Sequence, residues 1–215
     1  MAKRRRRRRR QAIDPAFLVV AACAVALVVL WLIARREAPS APARPKLSMA
    51  EARAFNARVP FVAGRRQPAD PFRFHGTPAA REQAVQCLAT AALYEAGGDP
   101  LGQKAVIQVV LNRARLPQFP ATICGVVYQG SALATGCQFS FTCDGSQVRR
   151  PERAGWDAAR KAARHALGGY VFSPVGRATH YHTDWMVPYW IGSLDKIAQI
   201  HSHIFYRPKA PAHPQ

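Results

Sequence analysis

Acidic residues are scarce in this chain: 12 Asp and Glu stand against 31 Lys and Arg, a formal net charge of +19 at pH 7. Few carboxylates are therefore on offer for acid–base chemistry, and the basic field favours anionic polymers as partners. Cysteine is also sparse, with five residues in all, and no pair has the C-x-x-C spacing of common structural zinc sites. Nor does any internal repeat run through the chain, which argues against a stacked array.

What is present divides the chain sharply. Residues 1–15 form an Arg-rich arm, with Lys3 and Arg4 through Arg10 in one run. Residues 16–34, from Ala16 to Ala34, carry no charge and would be about 28 Å long as a helix, enough to span a bilayer. The basic arm next to this span holds the N-terminus in the cytoplasm and exports the rest. A cleaved signal peptide is the competing reading, with Ala41-Pro42-Ala43 as its small-residue site, but the apolar run is longer than the usual signal core. A Pro/Ala-rich linker follows over 35–47, then a short helix and irregular segment over 48–76 that packs on the domain. Ser48 and Glu51 give the start of that helix a capping-box pattern. Residues 77–207 have the size of one globular domain, and 208–215 read as a flexible tail. Outside the cytoplasm the remaining positive charge suits cell-wall glycans with peptide carboxylates, lipopolysaccharide or anionic lipid heads; nucleic acid is not expected.

Four cysteines fall in the exported part. Cys137 with Cys143 would close a short loop, and Cys87 with Cys124 would staple the first domain helix to the segment after the second, as an oxidising periplasm permits. Thr77-Pro78 marks the start of that first helix and Gly97-Gly98 its end; Asp99-Pro100 starts the second, apolar on nearly every side between Ala105 and Leu111. A third helix is expected from Pro151 to Gly168-Gly169. In the last third, Ala178 to Thr183 and His203 to Tyr206 have strand character and would pair as a small antiparallel sheet. The expected fold class is α+β, mainly helical.

Glu95 is the residue of most interest. It closes an apolar stripe formed by Ala84, Leu88, Ala91 and Ala92, so its carboxylate would be poorly hydrated and would hold a proton near neutral pH, as a general acid must. The other reading is that Glu95 pairs with a nearby Arg or caps the next helix. A second carboxylate is harder to find: Asp99 is explained as a helix cap, and Asp144 sits in a Cys-Asp-Gly turn where its side chain can bond the backbone. Arg113 either reaches a cleft or caps its helix. Tyr181, Tyr189 and Trp190 suit sugar stacking or the rim of the core equally well.

The ordered motifs Leu93-Tyr94-Glu95-Ala96, Gly102-Gln103, Val109-Val110-Leu111-Asn112-Arg113, Phe119-Pro120, Cys124-Gly125-Val126-Val127, Gln138-Phe139-Ser140 and Asp144-Gly145 resemble the SleB-type, spore-cortex-lytic cell-wall hydrolases. Ala178-Thr179-His180-Tyr181-His182, Val187-Pro188-Tyr189-Trp190, Ser193-Leu194 and His203-Ile204-Phe205-Tyr206-Arg207 extend the resemblance to the end of the domain. It implies a lysozyme-like or lytic-transglycosylase-like domain that cleaves peptidoglycan without a cofactor, Glu95 being the catalytic acid. Gln103, Gln138, Ser140, Tyr181 and His182 are the accompanying candidates for substrate contact or transition-state stabilisation. Lacking a persuasive second carboxylate, the chain fits transglycosylation better than hydrolysis. It departs from the spore enzymes in having an Arg-rich anchor, four exported cysteines and no recognisable peptidoglycan-binding repeat. A bacterial inner-membrane protein acting on a Gram-negative wall from the periplasm fits these features, with no protein partner indicated. Two alternatives remain: a zinc amidase with His180, His182 and His203 as ligands, and a non-catalytic wall-binding protein.

Overall fold

The computed structural model describes residues 15–36, 47–63, 67–133, 136–148 and 154–209. Two units are separated between Lys46 and Leu47. The first holds α1, Pro15–Arg36, long and apolar enough over Pro15–Leu32 to cross a membrane. The basic arm, most of the linker and the last residues of the tail lie outside the described residues, and so does Pro151.

The second unit opens with α2, Met49–Arg58, whose capping box joins Ser48 and Glu51 reciprocally. This segment is bound to the domain by buried polar contacts. Asn56 Nδ2 donates to the carbonyls of Asp184 (2.7 Å) and Met186 (3.0 Å), and the Lys196 ammonium donates to those of Asn56 (2.7 Å) and Val59 (3.0 Å).

α3, Pro78–Ala96, begins at the Thr77 cap with proline at its first position. It ends at Gly97, where φ of +53° turns the chain at once and the Gly97 N–H bonds the Leu93 carbonyl. α4, Pro100–Arg113, is capped by Asp99 and buried along almost its whole length, so it forms the centre of the unit. Around it pack α3, α5 (Ile123–Val127) and α6 (Trp156–Leu167). α6 starts at Trp156, five residues after the expected Pro151, because Gly155 has φ of +93° and cannot continue a right-handed helix. A Cβ at Gly155 would also lie 3.0 Å from both Gln103 Nε2 and Gly98 Cα, so this junction requires glycine.

The sheet comprises β1 (His180–Thr183), β2 (Leu194–Ile200) and β3 (His203–Pro208), antiparallel in the order β1-β3-β2. The β1–β3 pair aligns Tyr181 with Phe205 and His182 with Ile204. β2 was not expected from the sequence. A register shift between Lys196 and Ala198 interrupts its alternation, and buried Lys196 takes an inward position that an apolar residue would ordinarily mark.

Two apolar clusters result. The larger gathers α3, α4, α5 and α6 with Phe139 and Phe141; the smaller places Ala105 and Val109 of α4 against Phe172, Val175, Ala178, Ala198 and Phe205. Tyr181 packs against both. Disulfides join Cys87 to Cys124, fixing α3 to α5, and Cys137 to Cys143, closing the loop before residue 144.

Candidate active site

α3 delivers Glu95 to its last turn with the ring of Tyr94 beside it. Tyr94 stacks on Phe141 with ring centroids 4.4 Å apart and planes 7° from parallel, which draws the disulfide-closed loop against the end of α3. Within that loop Phe139 and Phe141 are buried, while Gln138 and Ser140 alternate outward into solvent. The loop turns at Asp144, whose Oδ1 accepts from the Ser146 N–H at 2.7 Å.

The other wall is set by polar residues on α4. Asn112 Nδ2 donates to the carbonyls of Gly176 (2.9 Å) and Ala178 (2.8 Å), and its Oδ1 accepts from Gln108 Nε2 (2.9 Å). Gln108 Oε1 in turn accepts from the Phe172 N–H, and Arg113 Nε donates to the Thr179 carbonyl at 2.6 Å. One helix face thus binds the chain from 172 to 179 through its backbone and fixes where β1 begins. The consequence is chemical: β1 presents the Tyr181 hydroxyl to the Glu95 carboxylate, to which it donates a hydrogen bond.

Burial raises the Glu95 pKa above the ordinary glutamate value and dominates its environment. The Tyr181 hydrogen bond and the positive charge of Arg113 oppose that rise, while the charge of Asp144 adds to it. Tyr181 is pushed well above the usual tyrosine value, by burial and then by Glu95, so it remains a donor. Arg113 is 5% exposed, and its guanidinium lies over Phe119 (5.3 Å) and Phe139 (5.6 Å). Its buried Nη1 has no hydrogen-bond partner among the described residues. A buried carboxylic acid flanked by a hydroxyl donor and a cation can give up a proton and then be stabilised as the anion.

Of the candidates from sequence, Tyr181 meets Glu95 directly, and Gln138 and Ser140 lie on the loop held against α3. Two others serve different ends. Gln103 is fully buried; its Nε2 donates to the carbonyls of Gly97 (2.6 Å) and Gly155 (3.1 Å), so it ties the end of α3 to the start of α6 and has no surface to offer a glycan. His182 is buried as well. Its Nδ1 lies 2.8 Å from the Thr183 carbonyl, which can only accept, so Nδ1 carries the proton and Nε2 accepts from the Tyr206 hydroxyl at 3.0 Å. That tautomer uses both ring nitrogens and leaves His182 no lone pair for zinc. Burial lowers its pKa, and His180, half-buried and close to the Arg113 charge, is lowered to about 4. Among the described residues no three His, Cys, Asp or Glu side chains are gathered to hold a metal.

Arg113 is the member of the site that helix spacing alone did not separate from a simple cap. The signal was its polarity beside Asn112, directly after the apolar run Val109-Val110-Leu111. An aromatic wall extends from it: Phe119 tilts against His180 (6.4 Å), and Trp190 stands 5.4 Å from His180 and 5.6 Å from His182.

The chain is similar to the spore cortex-lytic enzyme of Halalkalibacterium halodurans, 37% identical over 123 residues that make up 56% of this chain and 34% of that protein. It is also similar to the spore cortex-lytic enzyme of Bacillus cereus, 34% identical over 56% of this chain and 43% of that protein. The chain therefore spans less than half the length of these curated relatives. Among solved structures, the catalytic domain of the Bacillus cereus SleB protein aligns with a TM-score of 0.48 at 30% identity, covering 63% of this chain and 95% of that one. The family described as Cell Wall Hydrolase matches residues 97–206, beginning two residues after Glu95. That match takes in just over half of the sequence, and the chain belongs to the cell wall hydrolase family.

Proposed function

We propose that this domain cleaves the glycan strand of peptidoglycan between N-acetylmuramic acid and N-acetylglucosamine, with Glu95 as acid and then as base. The observation that carries the reading is the balance at Glu95, where burial keeps the carboxyl protonated to higher pH while Tyr181 and Arg113 stand ready for the anion. Membership of the family and the relatives' name, spore cortex-lytic enzyme, support a wall substrate.

In the first step protonated Glu95 donates to the glycosidic oxygen. The bond from that oxygen to C1 of the muramic acid breaks, the glucosamine leaves with a free hydroxyl, and positive charge develops on the muramic ring. The Tyr181 hydroxyl and Arg113 then stabilise the Glu95 carboxylate. In the second step this carboxylate takes the proton of the ring's own C6 hydroxyl, whose oxygen bonds C1 and closes an anhydro end. Glu95 regains its proton and no water is consumed. Gln138 and Ser140, exposed beside the site, are proposed as glycan contacts.

A second reading rests on Asp144, whose charge acts on Glu95. Serving as the partner carboxylate, it would direct water to C1 and give hydrolysis. Digestion of purified sacculi by the full chain in detergent, followed by mass spectrometry of the soluble products, separates these outcomes. Anhydro-muropeptides support transglycosylation and reducing ends support hydrolysis. Released stem peptides, or equal activity in a Glu95→Gln variant, would overturn the Glu95 mechanism, and sacculus binding without any product would favour a wall-binding protein.

We also propose that α1 is an uncleaved inner-membrane anchor, with the N-terminus cytoplasmic and the domain in the periplasm. Its length and apolar character support this, as do the two disulfides. Release of the protein from membranes by alkaline extraction would contradict it.

A further inference from the structure

Tyr189 is 82% exposed, although its neighbours in sequence are held firmly. The Asp184 N–H bonds the Ser202 carbonyl at 2.7 Å, the Met186 N–H bonds the Thr183 carbonyl at 3.2 Å, and the Ser193 hydroxyl donates to the Trp190 carbonyl at 2.7 Å. From outside the family-matched segment, α2 adds four more contacts to this loop. Asn56 donates to the carbonyls of Asp184 and Met186, Arg53 Nε lies 3.2 Å from Asp184 Oδ1, and the Arg53 guanidinium lies 5.8 Å from the Trp185 ring centroid. An aromatic ring so fully presented by a pinned loop gains nothing for the fold.

Its position gives it a use. Trp190, the next residue, stands against His180 and His182, and His180 leads through Phe119 to Arg113 and the Glu95 site. This chain of packed rings runs from the 184–190 loop toward the candidate active site, and ring faces suit the apolar faces of sugars. We propose that Tyr189 is the floor of an outlying saccharide subsite, and that α2, through Asn56 and Arg53, is the clamp that sets the posture of the 184–190 loop. The inference rests on the glycan-cleaving reading. It adds that grip on the strand away from the cut depends on residues that precede the family domain.

Full-length protein in detergent, assayed on sacculi, tests both parts. Tyr189→Ala is expected to raise the half-saturating sacculus concentration about five-fold while kcat falls less than two-fold, and Tyr189→Phe to restore the wild-type value, since a ring face is required and the hydroxyl is not. Asn56→Ala should raise the half-saturating concentration in the same way, with Arg53→Ala as a milder second variant that leaves the buried contacts of α2 intact. Sedimentation of sacculi with Glu95→Gln protein, with and without Tyr189→Ala, reads binding in the absence of turnover. A five-fold loss there supports the subsite even if the cleavage reaction proves different. Unchanged binding and kinetics in Tyr189→Ala would overturn the proposal. So would unchanged sacculus binding with an altered sedimentation coefficient of the protein itself, which would mark the surface as a contact between copies of this chain.

Discussion

The helical part of the domain and the segment from Phe172 onward contribute to the site in different ways. α3 carries Glu95 on a pattern of local spacing, while Tyr181 and the aromatic wall arrive from distant sequence and are held by buried hydrogen bonds from α4. One region thus supplies the carboxylate, and the other supplies the hydroxyl donor that tempers its pKa. Burial at the end of α3 raises the pKa of Glu95, and the hydroxyl from β1 limits the rise.

The most severe way to break this division is to remove the carboxylate. Glu95→Gln keeps the shape of α3 and is expected to lower kcat on sacculi by about 10²- to 10⁴-fold, the usual worth of a positioned acid–base group. Cutting the connection between the two regions should come next. Asn112→Ala leaves the Gly176 and Ala178 carbonyls and Gln108 without their partner. The expected cost is about 2–3 kcal/mol of stability by denaturant unfolding, with kcat falling as β1 loses its fixed start.

Tyr181→Phe sharpens the comparison. It keeps the ring between the two clusters and removes only the donor that lowers the Glu95 pKa. We expect kcat to fall about ten-fold, and the alkaline limb of the pH–rate profile to move to higher pH, because the acid then holds its proton longer.

These effects divide much as legibility in the sequence does. Thr77-Pro78, Asp99-Pro100, Gly97 and the Ser48–Glu51 box are local signals, and helices begin and end there because capping acts over three or four residues. Glu95 was legible because it sits in the same periodic pattern. α5 is too short to show a period, the start of α6 depends on a left-handed Gly155, and β2 is disguised by a bulge and by Lys196, whose charge is met by carbonyls of the α2 segment. Gln103 and His182 are polar residues in matching motifs, and sequence alone cannot tell whether such a side chain faces a cleft or backbone. Each has its polar nitrogens bonded within the protein.

The smallest expected effect concerns stability. An acid whose folded pKa lies above its unfolded value costs nothing while both states are protonated, and the native state is penalised as pH rises through the unfolded value and on to the raised one. Glu95→Gln should therefore raise Tm by a few degrees at neutral pH, with the advantage vanishing below the ordinary glutamate range.

Carbon-13 NMR titration of the Glu95 carboxyl in the full chain, assigned with Glu95→Gln, tests the central claim most directly. The account predicts a pKa above that of an ordinary glutamate, moving higher still in Tyr181→Phe. A value at or below the ordinary one, or one indifferent to Tyr181, would contradict it.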